Sequence, residues 1–210
     1  MDVKKYLLFT VAFLLLLGCT YQKSEPANTD YEKDIKSYSE NGQIIFDVIN
    51  IRGRPSIKNY WTEMPKFTFC KESRLTNQRA RNGIRFWRRI GYNITDVRYS
   101  VSDQECFRDP ENGEVMVKLV TSDTPIRNNL AVTSVYFRPD NNQIQYAIIY
   151  LIGGFANDER LIEHEIGHAL GWSHYGRVRH IMNSDYSQTG TDNYGLSFSV
   201  YQQQVLMLEE

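Results

Sequence analysis

The sequence predicts an α+β domain, and three observations predict it. β-Branched and aromatic runs crowd the stretch between positions 66 and 152, one segment of helical period interrupts them at 76–90, and all four histidines fall between positions 164 and 180. Strands first, then a histidine-bearing helix, then an irregular tail is the order of an α+β fold. Clustered imidazoles are also the composition-level mark of a metal site.

The bulk numbers exclude several classes. Of 210 residues, 41% are hydrophobic and 23% charged, with 24 Lys+Arg against 25 Asp+Glu and a formal net charge of -1. A disordered chain would be poorer in apolar residues and further from neutrality. No overall basic excess collects phosphates, so no nucleic-acid partner is expected. The length suits one domain with a tail, large enough for a real core, and a monomer is expected.

The chain opens with Lys4 and Lys5, followed by an uncharged apolar run over 6–17. That run is too short to span a bilayer, which takes about 20 residues, but it suits the apolar region of a secretion signal. It ends Leu16-Leu17-Gly18-Cys19, which resembles the lipobox of bacterial lipoproteins. The resemblance implies that 1–18 is a signal peptide and that Cys19 is lipidated and becomes the new N-terminus. It further implies an exported domain anchored in the bacterial cell envelope, at the outer membrane or the cell surface. Residues 19–58 read as a tether and pro-segment candidate. The part from 20 to 40 is polar, whereas QIIFDVINI at 43–51 has the β-branched character of a strand or a packed pro-segment. The globular domain is expected over 59–210.

Within that domain Lys66–Cys70 (KFTFC) predicts a strand. Residues 76–90 predict a helix, with Ala80, Ile84 and Trp87 on one face and Gly91 as the stop. Arg74, Arg79, Arg81, Arg85, Arg88 and Arg89 cluster in and beside it, with no acid between Ser73 and Thr95. A solvated outer face is the expected reading; a patch resting on anionic headgroups is the alternative. Strands are predicted over 93–101 and 114–120, and a hairpin over 132–137 and 143–152 around Pro139-Asp140-Asn141-Asn142. After Gly153-Gly154 a helix begins, for which Asn157 or Asp158 is the expected cap. A last helix over 196–208, with Ser199 as cap and Tyr201, Val205 and Leu208 on one face, is expected to serve the core.

The most informative segment is 164–174, His-Glu-Ile-Gly-His-Ala-Leu-Gly-Trp-Ser-His. Four residues apart on a helix, His164 and His168 project from one face and can reach one zinc ion at about 2.0–2.1 Å. Gly171 can adopt the positive φ that turns the chain back, so that His174 arrives as a third ligand. Three histidines and an open fourth position form a catalytic pattern rather than a structural one. Glu165 is adjacent and free to act as a general base. His180 lies beyond the ligand set and reads as a surface or packing residue.

His-Glu-x-x-His-x-x-Gly-x-x-His resembles the metzincin metalloproteases, and Met182, eight residues after His174, resembles the Met-turn of their matrixin-like branch. Five fixed positions of this kind recur by chance in about one chain of this length per 10⁵. The resemblance implies a metzincin-like catalytic domain: a twisted mixed sheet with an active-site helix, a backing helix and a C-terminal helix. It implies one catalytic Zn²⁺ held by His164, His168 and His174, with Met182 beneath the ligands. Tyr186 stands where that branch has a tyrosine in the S1′ wall; lining the pocket is the preferred role, aid to the oxyanion the other. The activity implied is hydrolysis of protein or peptide substrates, with Glu165 moving the proton. Substrate is expected to extend along an exposed edge of the 143–152 strand. The alternative is a non-catalytic, zinc-containing envelope lipoprotein acting in binding. A bound Ca²⁺ is not readable. Cys70 and Cys106, the thiols left beside Cys19, are expected to form one disulfide in an exported domain. A thiol that blocks the zinc is the rival reading.

Overall fold

In the computed structural model the described residues are Gln43–Ile45, Ile49–Asn50, 53–121 and 129–209; the expected signal peptide at 1–18, the expected lipidation of Cys19 and the expected tether over 20–40 lie outside them. The strands are β1 (Gln43–Ile45), β2 (Ile49–Asn50), β3 (Lys66–Cys70), β4 (Val97–Val101), β5 (Glu114–Leu119), β6 (Ala131–Phe137), β7 (Ile144–Leu151) and β8 (His174–Tyr175). The helices are α1 (Asn77–Arg89), the one-turn α2 (Asp103–Cys106), α3 (Leu161–Ala169) and α4 (Phe198–Glu209). One mixed sheet runs in the order β1-β6-β7-β5-β3-β4, and β2 pairs with β8 separately. β4, β3, β5 and β7 are mutually parallel, and β6 runs antiparallel to β7. The fold is therefore α+β, a mixed sheet with a histidine-bearing helix (α3), a helix behind it (α1) and a C-terminal helix (α4). Among the described residues no helix is long and apolar enough to cross a membrane.

The burial of β7 accounts for its place inside the sheet and corrects one expectation. β7 reads IQYAIIYL, and Ala147, Ile148, Ile149 and Leu151 are all buried. Near-continuous apolar character belongs to a strand covered on both faces, not to an edge. β7 indeed lies between β5 and β6, paired on both sides, so it has no free edge for a substrate. The full-length strand on that side of the sheet is β6. Its outer edge carries β1, in the register Gln43↔Tyr136, Ile44↔Val135 and Ile45↔Ser134.

α1 starts where Thr76 accepts a hydrogen bond from the Arg79 N–H, an N-cap of the usual type. Ala80, Gly83, Ile84 and Trp87 form its buried stripe. The Trp87 indole N–H donates to the Glu163 carbonyl at 2.9 Å, and Arg79 pairs with the Glu163 carboxylate at 2.7 Å, so α1 fixes the pitch of α3. The strand expected over 93–101 begins only at Val97. Ile94 and Tyr92 turn inward before it, and the Ile94 N–H bonds the Tyr92 carbonyl, a local bond that competes with the ladder. In α4 the first helical bond runs from the Tyr201 N–H to the Ser197 carbonyl, so Ser199 lies inside the first turn instead of capping it. α4 also does more than pack. Gln204 accepts from the Ile57 N–H and donates to the Pro55 carbonyl, and the buried Tyr201 hydroxyl accepts from the Trp61 N–H.

Two features lock the far end of the sheet. Cys70 and Cys106 form a disulfide across a separation of 36 residues, buried with Val101 and Met116. Glu114, which starts β5, is 1% exposed and accepts from Arg108 through both oxygens, from the Thr68 hydroxyl at 2.6 Å and from the Glu111 N–H. Burial alone would push its carboxyl up; Arg108, Thr68 and the Glu111 N–H outweigh that and hold it at about 2. The folded value lies below the unfolded one of about 4.3, so the stabilisation is complete above that pH and is lost as pH falls towards 2. Glu114→Gln is expected to flatten the dependence of the urea midpoint on pH between about 4 and 2, while lowering the midpoint at pH 7. An unchanged slope in that window would contradict this role.

Candidate metal centre

α3 is buried along its whole length, unusual for a helix and suited to holding side chains in fixed positions. The cap differs from expectation: Arg160 precedes it in a left-handed conformation with φ 69° and no side-chain cap. Asn157 is engaged elsewhere, accepting from the Thr76 N–H and donating to the Arg74 carbonyl, so it staples the start of α1 to the approach to α3. Beyond Ala169, Gly171 takes φ +102° while the Trp172 N–H returns to the Gly167 carbonyl. That reversal carries the chain into β8, whose first residue is His174.

The result is a triangle of ring nitrogens. His168 Nε2 lies 3.0 Å from His164 Nε2 and 3.0 Å from His174 Nε2, and the remaining side is 3.3 Å. A tetrahedral ion about 2.0–2.1 Å from each ligand spaces them about 3.3 Å apart, so the triangle fits one ion. The opposite ring nitrogens settle the tautomers. His164 Nδ1 faces the Ile181 carbonyl at 2.7 Å, and His168 Nδ1 faces the Trp172 carbonyl at 2.8 Å. A carbonyl only accepts, so each Nδ1 carries the proton and each Nε2 presents a lone pair. Converging lone pairs repel unless a cation lies between them. Burial, with His164 alongside, holds the His174 imidazole down to about 3; burial, with His174 and His164, lowers His168 as well. Both rings are therefore neutral donors at pH 7, the form a metal requires. Among the described residues, no cysteine or carboxylate joins the three histidines as a fourth ligand.

Glu165, the next residue along the helix, is buried, and its Oε2 accepts from the Thr133 hydroxyl at 2.5 Å. Burial raises its carboxyl above the ordinary range, with His164 and the Thr133 bond opposing. Thr133 belongs to β6, so that strand and the carboxylate are directly linked.

Met182 is fully buried against α3. A Cβ placed on Gly167 would lie 2.3 Å from the Met182 sulfur and 2.8 Å from Trp87 Cζ2, so only glycine fits between the two ligand positions. The turn that presents Met182 is braced by His180. That ring is fully buried, with Nδ1 accepting from the Met182 N–H and Nε2 donating to the Tyr194 carbonyl. His180 is thus packed, with both nitrogens engaged, and not at the surface. Tyr186 is partly exposed, and its hydroxyl donates to the Glu159 carbonyl at 2.6 Å, which commits its proton to the segment before α3. Thr133 and the carbonyls of Ile181 and Trp172 escape sequence reasoning: a lone threonine in a strand carries no signal, and any residue supplies a carbonyl.

No family model and no curated protein matches the chain. Among solved structures it is similar to metalloproteinase-II from Bacteroides fragilis, with 16% identity, 74% of this chain and 57% of that chain covered, and a TM-score of 0.44. The chain spans less than two thirds of that protein's length. What the centre can do chemically is carried by its own geometry: three imidazoles converging on one point, beside a buried carboxylate.

Proposed function

We propose that the chain is a metzincin-type, zinc-dependent endopeptidase that hydrolyses peptide bonds at a bacterial envelope membrane, to which lipidated Cys19 ties it. The observation that carries the proposal is the Nε2 triangle whose tautomers are set by the Ile181 and Trp172 carbonyls. A His₃ set that leaves one position open suits zinc. When bound, zinc supplies an acidified water and an electrophile for the scissile carbonyl. Glu165 would hold the proton given up by the attacking water and return it to the leaving amine, a single carboxylate serving as base and then acid. Thr133 occupies Oε2 and thereby leaves Oε1 for the proton.

Substrate is proposed to extend along the outer edge of β6, whose ladder groups give affinity without demanding a sequence. Residues Gln43–Ile45 pair with that edge, and Ile49–Asn50 pair with His174–Tyr175 beside the metal centre. These pairings support the pro-segment reading of this region. A chain beginning at residue 53 is expected to cleave faster than one beginning at Thr20, at equal zinc content, as peptide hydrolysis per bound zinc would show. Equal rates would remove the inhibitory role.

Removing a ligand gives a simpler result. His168→Ala is expected to lose zinc affinity by more than the 10–100-fold typical of lost supporting residues, read by elemental analysis after dialysis. The activity itself is tested by exposing a peptide library to the soluble chain and reading the cuts by mass spectrometry. Cuts that vanish with a chelator support the proposal; a zinc-loaded, fully shortened chain that cuts nothing overturns it in favour of binding.

A further inference from the structure

The arginine-rich helix is more than a solvated face. Arg81, Arg85 and Arg88, one flank of α1 at helical spacing, border a cleft of about 340 Å³ whose other walls are Thr95, Val97 and Tyr99. Two of the three guanidinium groups are held in place. Arg81 lies over the Tyr99 ring, 5.2 Å from its centroid, and that ring stacks in turn on Phe69. Arg88 donates its Nε–H to the Ile94 carbonyl at 2.6 Å, which leaves its two terminal nitrogens for another partner. No aspartate or glutamate lines the cleft, and among the described residues none forms an ion pair with Arg81, Arg85 or Arg88. Asp96 lies between two lining residues without lining the cleft itself, and Arg98, next in sequence to Val97, is paired with Glu105.

All three arginines are exposed, and with no carboxylate lining the cleft their free N–H donors face solvent or a bound anion. The geometry points to a ligand-binding site in this cleft for a phosphate monoester group. A carboxylate is saturated by one guanidinium fork, whereas the three terminal oxygens of a phosphate monoester accept from several forks at once. The Thr95 hydroxyl adds a donor, and the Tyr99 ring backs the Arg81 guanidinium. The flank used is not the one that packs against α3: Gly83, Ile84 and Trp87 face inward, and Arg79 pairs with Glu163. The site therefore stands independently of the metal centre and of the peptidase reading.

The phosphate has two sources, a headgroup in a membrane or a soluble ester, and one experiment separates them. The full chain carrying Cys19→Ser, which no acyl chain can anchor, is titrated calorimetrically with inorganic phosphate at constant ionic strength, with chloride as reference. It is also floated with vesicles of phosphatidylcholine alone and with phosphatidic acid added. Saturable phosphate binding that weakens about tenfold in each of Arg85→Gln and Arg88→Gln is expected. A gain in flotation from phosphatidic acid that the same substitutions abolish assigns the headgroup; phosphate binding without that gain assigns the soluble ester. Absence of both effects, or binding indifferent to the two substitutions at unchanged melting temperature, overturns the site.

Discussion

Glu165→Gln is expected to keep one zinc per chain and to lower kcat/KM for a library-derived peptide by about a thousandfold or more. Glutamine has nearly the same shape, and its carbonyl oxygen can still accept from Thr133, so the buried position keeps its hydrogen bond. What it loses is the site for a proton. General acid–base catalysis by one placed group is worth about 10²–10⁴-fold, and Glu165 is asked to act in both directions. The ligand set does not include it, so metal content separates loss of chemistry from loss of the site. A variant with wild-type cleavage would remove Glu165 from the mechanism; a variant that loses zinc would make it structural.

The second large effect is expected at Gly171. An alanine there inherits φ +102°, which costs an L-residue about 1–2 kcal/mol. Its Cβ would also lie 2.1 Å from the Asn59 carbonyl oxygen and 3.2 Å from the Asn59 carbonyl carbon, both backbone atoms of a buried residue that cannot rotate aside. Overpacking of this sort adds about 1–3 kcal/mol. Gly171→Ala is therefore expected to lower stability by about 3 kcal/mol and to weaken zinc binding, because His174 is positioned three residues on. Urea midpoints with and without zinc would measure both effects. Gly154→Ala, where nothing lies within 4 Å of the added Cβ, is the matched control. A Gly171→Ala chain as stable as that control would contradict the account of the turn.

How far the sequence reaches can be judged residue by residue. The histidine cluster was legible because helical spacing converts directly into three dimensions: His164 and His168 share a face by period alone, and Gly171 announces a reversal that only glycine makes easily. The strands were legible through their apolar runs, but their order was not. The same IQYAIIYL marks a strand, and the exposed edge expected for it fails because its burial on both faces places it inside the sheet, between β5 and β6. Pairing partners depend on long-range register, to which local pattern is blind. Asn157 shows the limit for caps. It has the right chemistry at the right place, yet both its amide atoms serve α1, 81 and 83 residues away, and Arg160 takes the position before α3 instead. His180 was read by its distance from the motif, and no sequence feature says that its two nitrogens brace the turn that carries Met182. The arginines were visible as a run; that three of them border a cleft emptied of acids became visible only once β4 was laid beside α1.

Three imidazoles that hold one zinc ion and leave a position open for water have a distinct signature in X-ray absorption at the zinc edge of the loaded chain. Three nitrogen neighbours and one oxygen are expected at about 2.0–2.1 Å, with one zinc per chain and no sulfur neighbour. A sulfur neighbour at about 2.3 Å, or a fourth protein ligand closing the shell, would contradict an open three-histidine site.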